Sequence, residues 1–451
     1  MALTQPTDFS PAAFRRLDPT KYVALGDFID EINAPDNRDT LVKTYGNQGI
    51  TGFLKLTGAV KSNGTADSVQ YWEETRLHPA QAATPTSATA ADKVITLNMA
   101  AGAAKYLRLN DVLLIGGQDR FIVTAISVSE YTTGVAATAT LSSLTSGGLT
   151  ANLAATLASF PIVGNLFGQG TDQNSGYLES NVVKRENNYM IIKEIYKVTG
   201  SQATNIGWIN LGNGDYRWYV KSENDTRQRF LDKREMMMLL GEEITNSGVT
   251  TYGDGSEGYF AAVENRGIVN TGGISTLSDL DSIIVALDKQ GAAAEYAVYV
   301  NRAQDLLFDD MIANGVGASL TSGVMTQFGA FNNSPDMAAH LGFASFMRGS
   351  YGFHKHSWKL LNEPTLLAGS KYEGVMIPMT TVADARTGEK APALEMNYKS
   401  TNGYSREMEH WMTGSILGVT NTNDDSLQFN YRTECNLVTR AANQHVILKA
   451  S

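Results

Sequence analysis

Apolar and polar positions separate most sharply between positions 215 and 243. Tyr216, Trp218, Tyr219 and Val220 open this stretch, and Phe230, Leu231, Met236, Met237, Met238, Leu239 and Leu240 close it. Nine charges fall in the fifteen positions 221–235 between them. There is no proline, no glycine after Gly214 until Gly241, and Asp215 stands where an N-cap belongs, so the pattern predicts a helix over 215–243. At about 1.5 Å per residue it is roughly 40 Å long. Its polar waist is not expected to be dry core. A strut across an elongated subunit and an ordinary surface helix laced with i,i+4 ion pairs both fit.

On the N-terminal side, Pro6, Pro11 and Pro19 predict an extended arm over 1–45 with one short helix, whose Leu25, Phe28, Ile29 and Ile32 share a face until Pro35 ends it. Gly46, Gly49 and Gly52 read as a flexible joint: no strand leads in and no Lys-Ser/Thr follows, as a phosphate loop requires. Positions 53–76 predict a hairpin. Within it Val69, Tyr71 and Glu73 alternate with Gln70, Trp72 and Glu74, giving an exposed ribbon with two mixed faces. After Pro79 the chain turns to Ala, Thr and Ser, and positions 132–171 carry no charge. A turn at Gly116-Gly117-Gln118-Asp119 joins two apolar strands, 112–115 and 121–126, so a small inserted β unit is expected over about 80–160.

Beyond the long helix, Leu277, Leu280, Ile283, Ile284 and Leu287 form one helical stripe capped by Thr276 or Ser278. A strand follows at 296–300, then a second helix capped by Asn301 and ending at Asn314-Gly315. Positions 316–360 are rich in Gly, Phe and Met, with Ser334-Pro335 starting a short helix. Their many apolar side chains suit core and a buried subunit contact. Strands resume after Tyr372. Leu427, Phe429 and Tyr431 alternate with polar neighbours, 445–449 closes the chain as a strand, and 404–412 reads equally as helix or strand.

The 451 residues exceed one core and predict two to four structural units. A net charge of −10 excludes a protein whose main task is to coat nucleic acid. The single cysteine, Cys435, excludes a disulfide framework and Cys-rich metal sites. No signal peptide and no membrane span is expected.

Catalytic motifs are absent: no GxSxG, HExxH, Walker lysine or spaced Cys/His cluster occurs. Gly253-Asp-Gly-Ser-Glu-Gly258 matches GxGxxG, but it follows a helix, and Asp254 and Glu257 repel a pyrophosphate, so it reads as a loop. His354 and His356 share a strand face without a third ligand nearby. The adjacent acidic pairs at 73–74, 242–243, 309–310 and 424–425 diverge in either secondary structure, and Asn421-Thr-Asn-Asp-Asp425 lacks the glycine and final Glu of an EF-hand. No cofactor or metal is expected, and the chain does not read as an enzyme.

The order of arm, β ribbon, long polar-waisted helix, central α/β block and closing strands resembles the major capsid proteins of tailed phages with the Hong Kong 97 fold. The tract from Arg229 to Gly241 is similar to the end of that family's spine helix, and Thr433-Glu-Cys-Asn-Leu437 with Asn443-Gln-His-Val-Ile-Leu448 to its closing strands. The resemblance implies an α+β fold. Its parts are an N-terminal arm (1–45), an extended β loop (46–200) containing the inserted unit, a peripheral domain (201–264) with spine helix 215–243, an axial domain (265–390), and peripheral closing strands (391–451).

It also implies a structural protein of the virion that assembles in the host cytoplasm into pentamers and hexamers around the genome. The implied partners are a separate scaffolding protein, a portal protein and decoration proteins, with weak nonspecific contact to DNA and no membrane. Covalent joining of subunits is not expected. Candidate contact residues between subunits are Phe9, Phe14, Phe28, Tyr71, Trp72, Glu74, Arg76, Phe328, Phe331, Phe343 and Phe346, and Trp218, Phe230, Arg234 and Met237 mark the spine helix. An encapsulin-like compartment shell and a β-rich phage tail or adhesion protein are the alternatives.

Overall fold

The fourteen-residue strand Ser426–Thr439 organises the first of the two units into which the chain divides, 1–69 with 187–451. The computed structural model describes residues 60–62, 66–74, 76–78, 80–127, 135–173, 182–204, 218–244, 253–321, 345–363, 371–379, 381–383 and 390–450. In this unit Ser426–Thr439 pairs antiparallel with Met190–Thr199, Glu409–Gly414 and Leu394–Tyr398, and Val60–Ser62 adds a parallel strand to the last, completing a five-stranded sheet. Within the ambiguous segment 404–412, residues from Glu409 on are strand in this sheet, and Tyr404–Ser405 pairs separately with Ser400–Thr401. The first strand of the expected hairpin over 53–76 pairs with residues more than 300 positions away rather than with its own neighbour. Its partner strand Leu394–Tyr398 carries the core residues Leu394 and Met396.

Helix α1, Trp218–Leu240, lies on this sheet. Phe230 packs on Tyr431 with ring centroids 5.8 Å apart. The waist departs from expectation: Thr226, Phe230 and Arg234, four residues apart, are buried together with Glu235. The charges at 221–235 are spread around the helix, so one stripe reaches the sheet while Lys221 pairs with Asp225 and Gln228 bonds Asp232 at 2.8 Å on the exposed side. The expected cap Asp215 lies outside the described residues.

A second, six-stranded sheet runs in the order Ile268–Thr271, Val446–Lys449, Tyr372–Pro378, Glu295–Val300, Tyr351–Ser357, Ser345–Arg348. It is buried on both faces, and Val446, Ile447 and Leu448 show why the sequence reads as a continuous apolar run. Val446 and Leu448 join Tyr296, Val298, Phe308 and Phe353 on one side, whereas Ile447 joins Val375, Ile377 and the buried residues of helix α2, Tyr259–Arg266, on the other. The last strand, grouped in the sequence resemblance with the peripheral closing strands of 391–451, lies in this sheet.

Helix α3, Leu277–Lys289, begins with a capping box: the Asp279 backbone N–H donates to Thr276 Oγ1 at 3.3 Å, and the Thr276 N–H donates to Asp279 Oδ2 at 2.9 Å. Helix α4, Arg302–Thr321, starts at Asn301, whose Oδ1 accepts from the Gln304 N–H at 2.7 Å. It runs through Asn314-Gly315, because glycine inside a helix costs about 1 kcal/mol without ending it.

The second unit, 70–186, is built on a closed barrel of Ala80–Pro85, Val94–Met99, Ala137–Ser143, Asp119–Ile126, Asp111–Ile115 and Ala158–Asn165, hydrogen-bonded in that order. Alternation fills it: Ile95, Leu97 and Met99, then Phe121 and Val123, then Ala137, Ala139 and Leu141 point inward. Register shifts between Val112 and Leu113 and between Val123 and Ala125 bend the strands toward closure. The turn between Asp111–Ile115 and Asp119–Ile126 places Gly116 and Gly117 at φ of 59° and 78°, which these residues adopt without strain. Buried Gln81 is satisfied by donating to the Ala104 carbonyl at 3.1 Å and accepting from the Tyr106 N–H at 2.8 Å.

Candidate functional site

Ser68–Glu74 pairs with Val182–Asn188 in a two-stranded ribbon. Its two faces differ as alternation requires: Tyr71 and Glu73 are half-buried, while Gln70, Trp72 and Glu74 are exposed. Glu73 pairs across the strands with Arg185 at 3.2 Å, and Lys184 pairs with Glu186 at 3.1 Å. Trp72 stands 65% exposed among these charges, and Arg76 is exposed just beyond. Tyr71, Trp72, Glu74 and Arg76 therefore fall on one short stretch.

The other candidates are distributed differently. Phe9, Phe14, Phe28, Phe328, Phe331 and Phe343 lie outside the described residues, as do the side chain of Trp218, the arm, the joint glycines and Ser334-Pro335. Phe346 is engaged inside the chain, stacked on Phe353 at 5.3 Å and tilted against Phe308 at 6.0 Å. On α1, Phe230 is core, buried Arg234 donates from Nη1 to the Glu407 carbonyl at 3.3 Å, and Met237 is exposed.

Where the ribbon enters the five-stranded sheet, Asn187 is buried and saturated. Its Nδ2 donates to the carbonyls of Leu437 at 2.6 Å and Glu257 at 3.1 Å, while its Oδ1 accepts from the Glu257 N–H at 2.8 Å and the Ser256 hydroxyl at 3.2 Å. Sequence reasoning missed this residue, which is one polar position in a polar strand. The formal GxGxxG segment is the other half of the junction. The Gly258 N–H donates to the Gly241 carbonyl at 2.8 Å, folding the chain back directly after α1.

Buried ionisable groups occur elsewhere in this unit. Glu235 is 1% exposed with neither carboxylate oxygen hydrogen-bonded, and loss of water drives its pKa up to about 8 against the opposing pull of Arg234. His445 is fully buried with Nδ1 3.1 Å from the Tyr259 hydroxyl, and burial lowers it to about 3. In the same unit Lys355 is buried between Asp305 at 2.7 Å and Asp309 at 2.5 Å.

None of these arrangements assembles a reaction centre. Among the described residues no three His, Cys, Asp or Glu side chains gather as a metal set. His356 stacks on Tyr299 at 5.1 Å, and burial pushes the Cys435 thiol up to about 11. The Asn421 to Asp425 turn spends its acceptors internally: Asn421 Oδ1 takes the Gly414 N–H at 2.7 Å, and Asp424 pairs with Lys197 at 2.5 Å.

No protein-family model matches the chain, and no curated protein does. Similar solved structures include the capsid of a native GTA particle, 8% identical over 94% of this chain and 96% of that one with a TM-score of 0.40. The Gordonia phage Cozz structure is 9% identical over 93% and 92%, also at 0.40. The SrpI encapsulin complex from Synechococcus elongatus PCC 7942 is 12% identical over 60% and 77%, at 0.34.

Proposed function

We propose that this chain is a major capsid protein of a tailed phage, of the Hong Kong 97 type, that assembles as pentamers and hexamers into the head shell around the genome. The observation that carries the reading is the placement of α1. A 23-residue helix lies along a sheet whose strands come from positions 60–62, 190–199, 394–398, 409–414 and 426–439, so the chain departs from this scaffold and returns to it twice. Its excursions are the separate barrel unit and the α/β block of α3, α4 and the six-stranded sheet. In this reading 215–243 holds the spine helix, 265–390 is the axial domain and 391–451 is the return to the peripheral domain, except that Val446–Lys449 joins the six-stranded sheet.

The work of such a protein is association. Burying about 1,000 Å² of apolar area between neighbours contributes roughly 25 kcal/mol before association costs, so contacts that are each weak close a stable shell. The ribbon bearing Trp72 and Glu74 is a subunit contact in this reading. Scaffolding, portal and decoration proteins are its partners, DNA is touched weakly through local Lys and Arg, and the chain resides in the virion after assembly in the host cytoplasm. Electron microscopy of the protein expressed with and without its neighbouring genes tests this. Closed shells, or rings of five and six subunits, are the expected result; shells loaded with a protein cargo instead of a genome would indicate the encapsulin-like alternative, and a chain monomeric under every condition would overturn the reading.

A further inference from the structure

Four adjacent strands of the barrel, Ala137–Ser143, Val94–Met99, Ala80–Pro85 and Ala158–Asn165, carry no ionisable residue, and along the last of them large apolar side chains are exposed. Along Ala158–Asn165 the side chains alternate, Phe160 going into the barrel core and Pro161 and Val163 outward. Leu157 before the strand and Leu166 after it extend the same strip, with exposures of 74% for Leu157, 61% for Val163 and 53% for Leu166. The Leu166 N–H donates to the Asn110 carbonyl at 3.0 Å, bringing exposed Leu109 beside it. At about 3.3 Å per residue the strip is roughly 30 Å long.

Neither flanking strand exposes a charge, and Arg108, beside Leu109, lies 4.0 Å from buried Asp111. Ala80–Pro85 on one side contains no ionisable residue and sets exposed Ala82 opposite Ser159, and in Asp111–Ile115 on the other the one carboxylate, Asp111, is buried. Positions 135–171 carry no charge at all. The contrast with the ribbon of the same unit is direct, since Trp72 sits among Glu73, Glu74, Lys184 and Arg185.

Two arguments fix the occupant. The chain carries a net charge of −10, so two copies repel over most of their surface, and an uncharged face is where they meet without that cost. Second, a closed barrel offers no strand edge, so a partner cannot add a strand here and must pack on side chains. These side chains leave on the order of 500 Å² uncovered, below the roughly 800 Å² per partner of a stand-alone interface and suited to copies already held together by other contacts.

We infer that this strip is a contact between copies: the outward face of Ala158–Asn165 packs on the same face of a second copy within the assembly. The inference rests on the shell reading. Its test uses the full chain, in which the one native thiol, Cys435, is buried. Val163→Cys places the only accessible thiol on the strip, and Thr138→Cys places one on the exposed side of Ala137–Ser143, three strands away around the barrel. Assembled particles are treated with a short homobifunctional maleimide.

The expected result is a covalent dimer of the chain from Val163→Cys at least tenfold more abundant than from Thr138→Cys. Particles seen by microscopy with equal or no cross-linking at the two positions overturn the contact and leave the shell reading intact. Cross-linking of Val163→Cys only to a different polypeptide overturns it too, in favour of a decoration partner. Absence of particles from the unsubstituted chain overturns both.

Discussion

Asn187 Nδ2 donates to the carbonyl of Leu437 at 2.6 Å, joining residues 250 positions apart where the chain re-enters the five-stranded sheet. The other three bonds of this side chain reach Ser256 and Glu257, so one amide holds the closing strand and the segment after α1 together. Asn187→Leu keeps the volume and leaves those groups buried without partners. A loss of about 3 kcal/mol is expected, at the upper end for unsatisfied buried groups, read as a lower denaturation midpoint at unchanged slope.

Close backbone approach beside that junction makes a sharper prediction. A Cβ on Gly258 would meet the Gly241 N at 2.6 Å and the carbonyls of Gly241 and Leu239 at 2.8 Å. These are backbone atoms that cannot rotate away. Gly258→Ala is therefore expected to cost about 1–3 kcal/mol by overpacking. Gly253→Ala, five residues earlier in the same loop with nothing within 4 Å of the new methyl, is expected to be neutral. Thermal unfolding of the two variants side by side separates crowding from a general loop effect.

Glu235 and His445 tilt stability with pH in opposite directions. Folding raises the Glu235 pKa from 4.5 to about 8, so between those values the unfolded chain has released a proton that the folded chain still holds. Its contribution is therefore most favourable below pH 4.5, declines as pH rises through this window, and is constant above it. Glu235→Gln should remove that decline and leave the protein more stable than the parent by a few kcal/mol at pH 8, and less so at pH 5. His445 is lowered from 6.5 to about 3, so stability falls as pH drops from 6.5 toward 3, when the unfolded chain takes up a proton the folded one refuses. Denaturation midpoints across pH 4 to 9 for the parent and Glu235→Gln check the sign.

These sites mark where sequence reading stops. A helix within 215–243, a cap for α3 at Thr276 or Ser278, the Asn301 cap and the 112–126 hairpin were legible because periodicity, caps and turn residues are local. Pairing was not. Val60–Ser62 beside Leu394–Tyr398, and Val446–Lys449 in the six-stranded sheet, depend on partners far along the chain that no local pattern names. Burial of Glu235 was hidden for a related reason: a count of charges along 221–235 does not say which side of the helix meets the sheet. Nor does any motif mark Asn187, whose importance comes from four hydrogen bonds to three residues in two other segments.

Lys355 offers a test of a buried ion pair. With Asp305 and Asp309 on α4 it forms a cluster in which the lysine and Asp305 have almost no access to water. Lys355→Met takes from Asp305 one of its two cationic partners, leaving Arg302 at 2.7 Å, and leaves Asp309 without its lysine, so a loss of about 3 kcal/mol, at the low end for a broken buried pair, is expected. Adding Asp305→Leu and Asp309→Asn removes the stranded charges and should recover most of that loss. If the triple variant is no more stable than the single one, the lysine acts through packing of its hydrocarbon stem rather than through its charge.

Trp72 separates folding from association. Its indole is largely in water, next to Glu73 and Glu74, so shortening it removes little from the folded chain. Trp72→Ala is expected to leave the unfolding midpoint of the unassembled protein within about 0.5 kcal/mol of the parent. If the ribbon is a subunit contact, the same change removes a large aromatic anchor of the kind that dominates interfaces, worth about 2 kcal/mol or more at each contact. Because every subunit repeats the contact, the deficit multiplies over the shell, and the protein concentration at which particles appear should rise at least tenfold. Light scattering against concentration measures that threshold. An unchanged threshold alongside unchanged stability would remove Trp72 from the contact and direct attention to the uncharged barrel face instead.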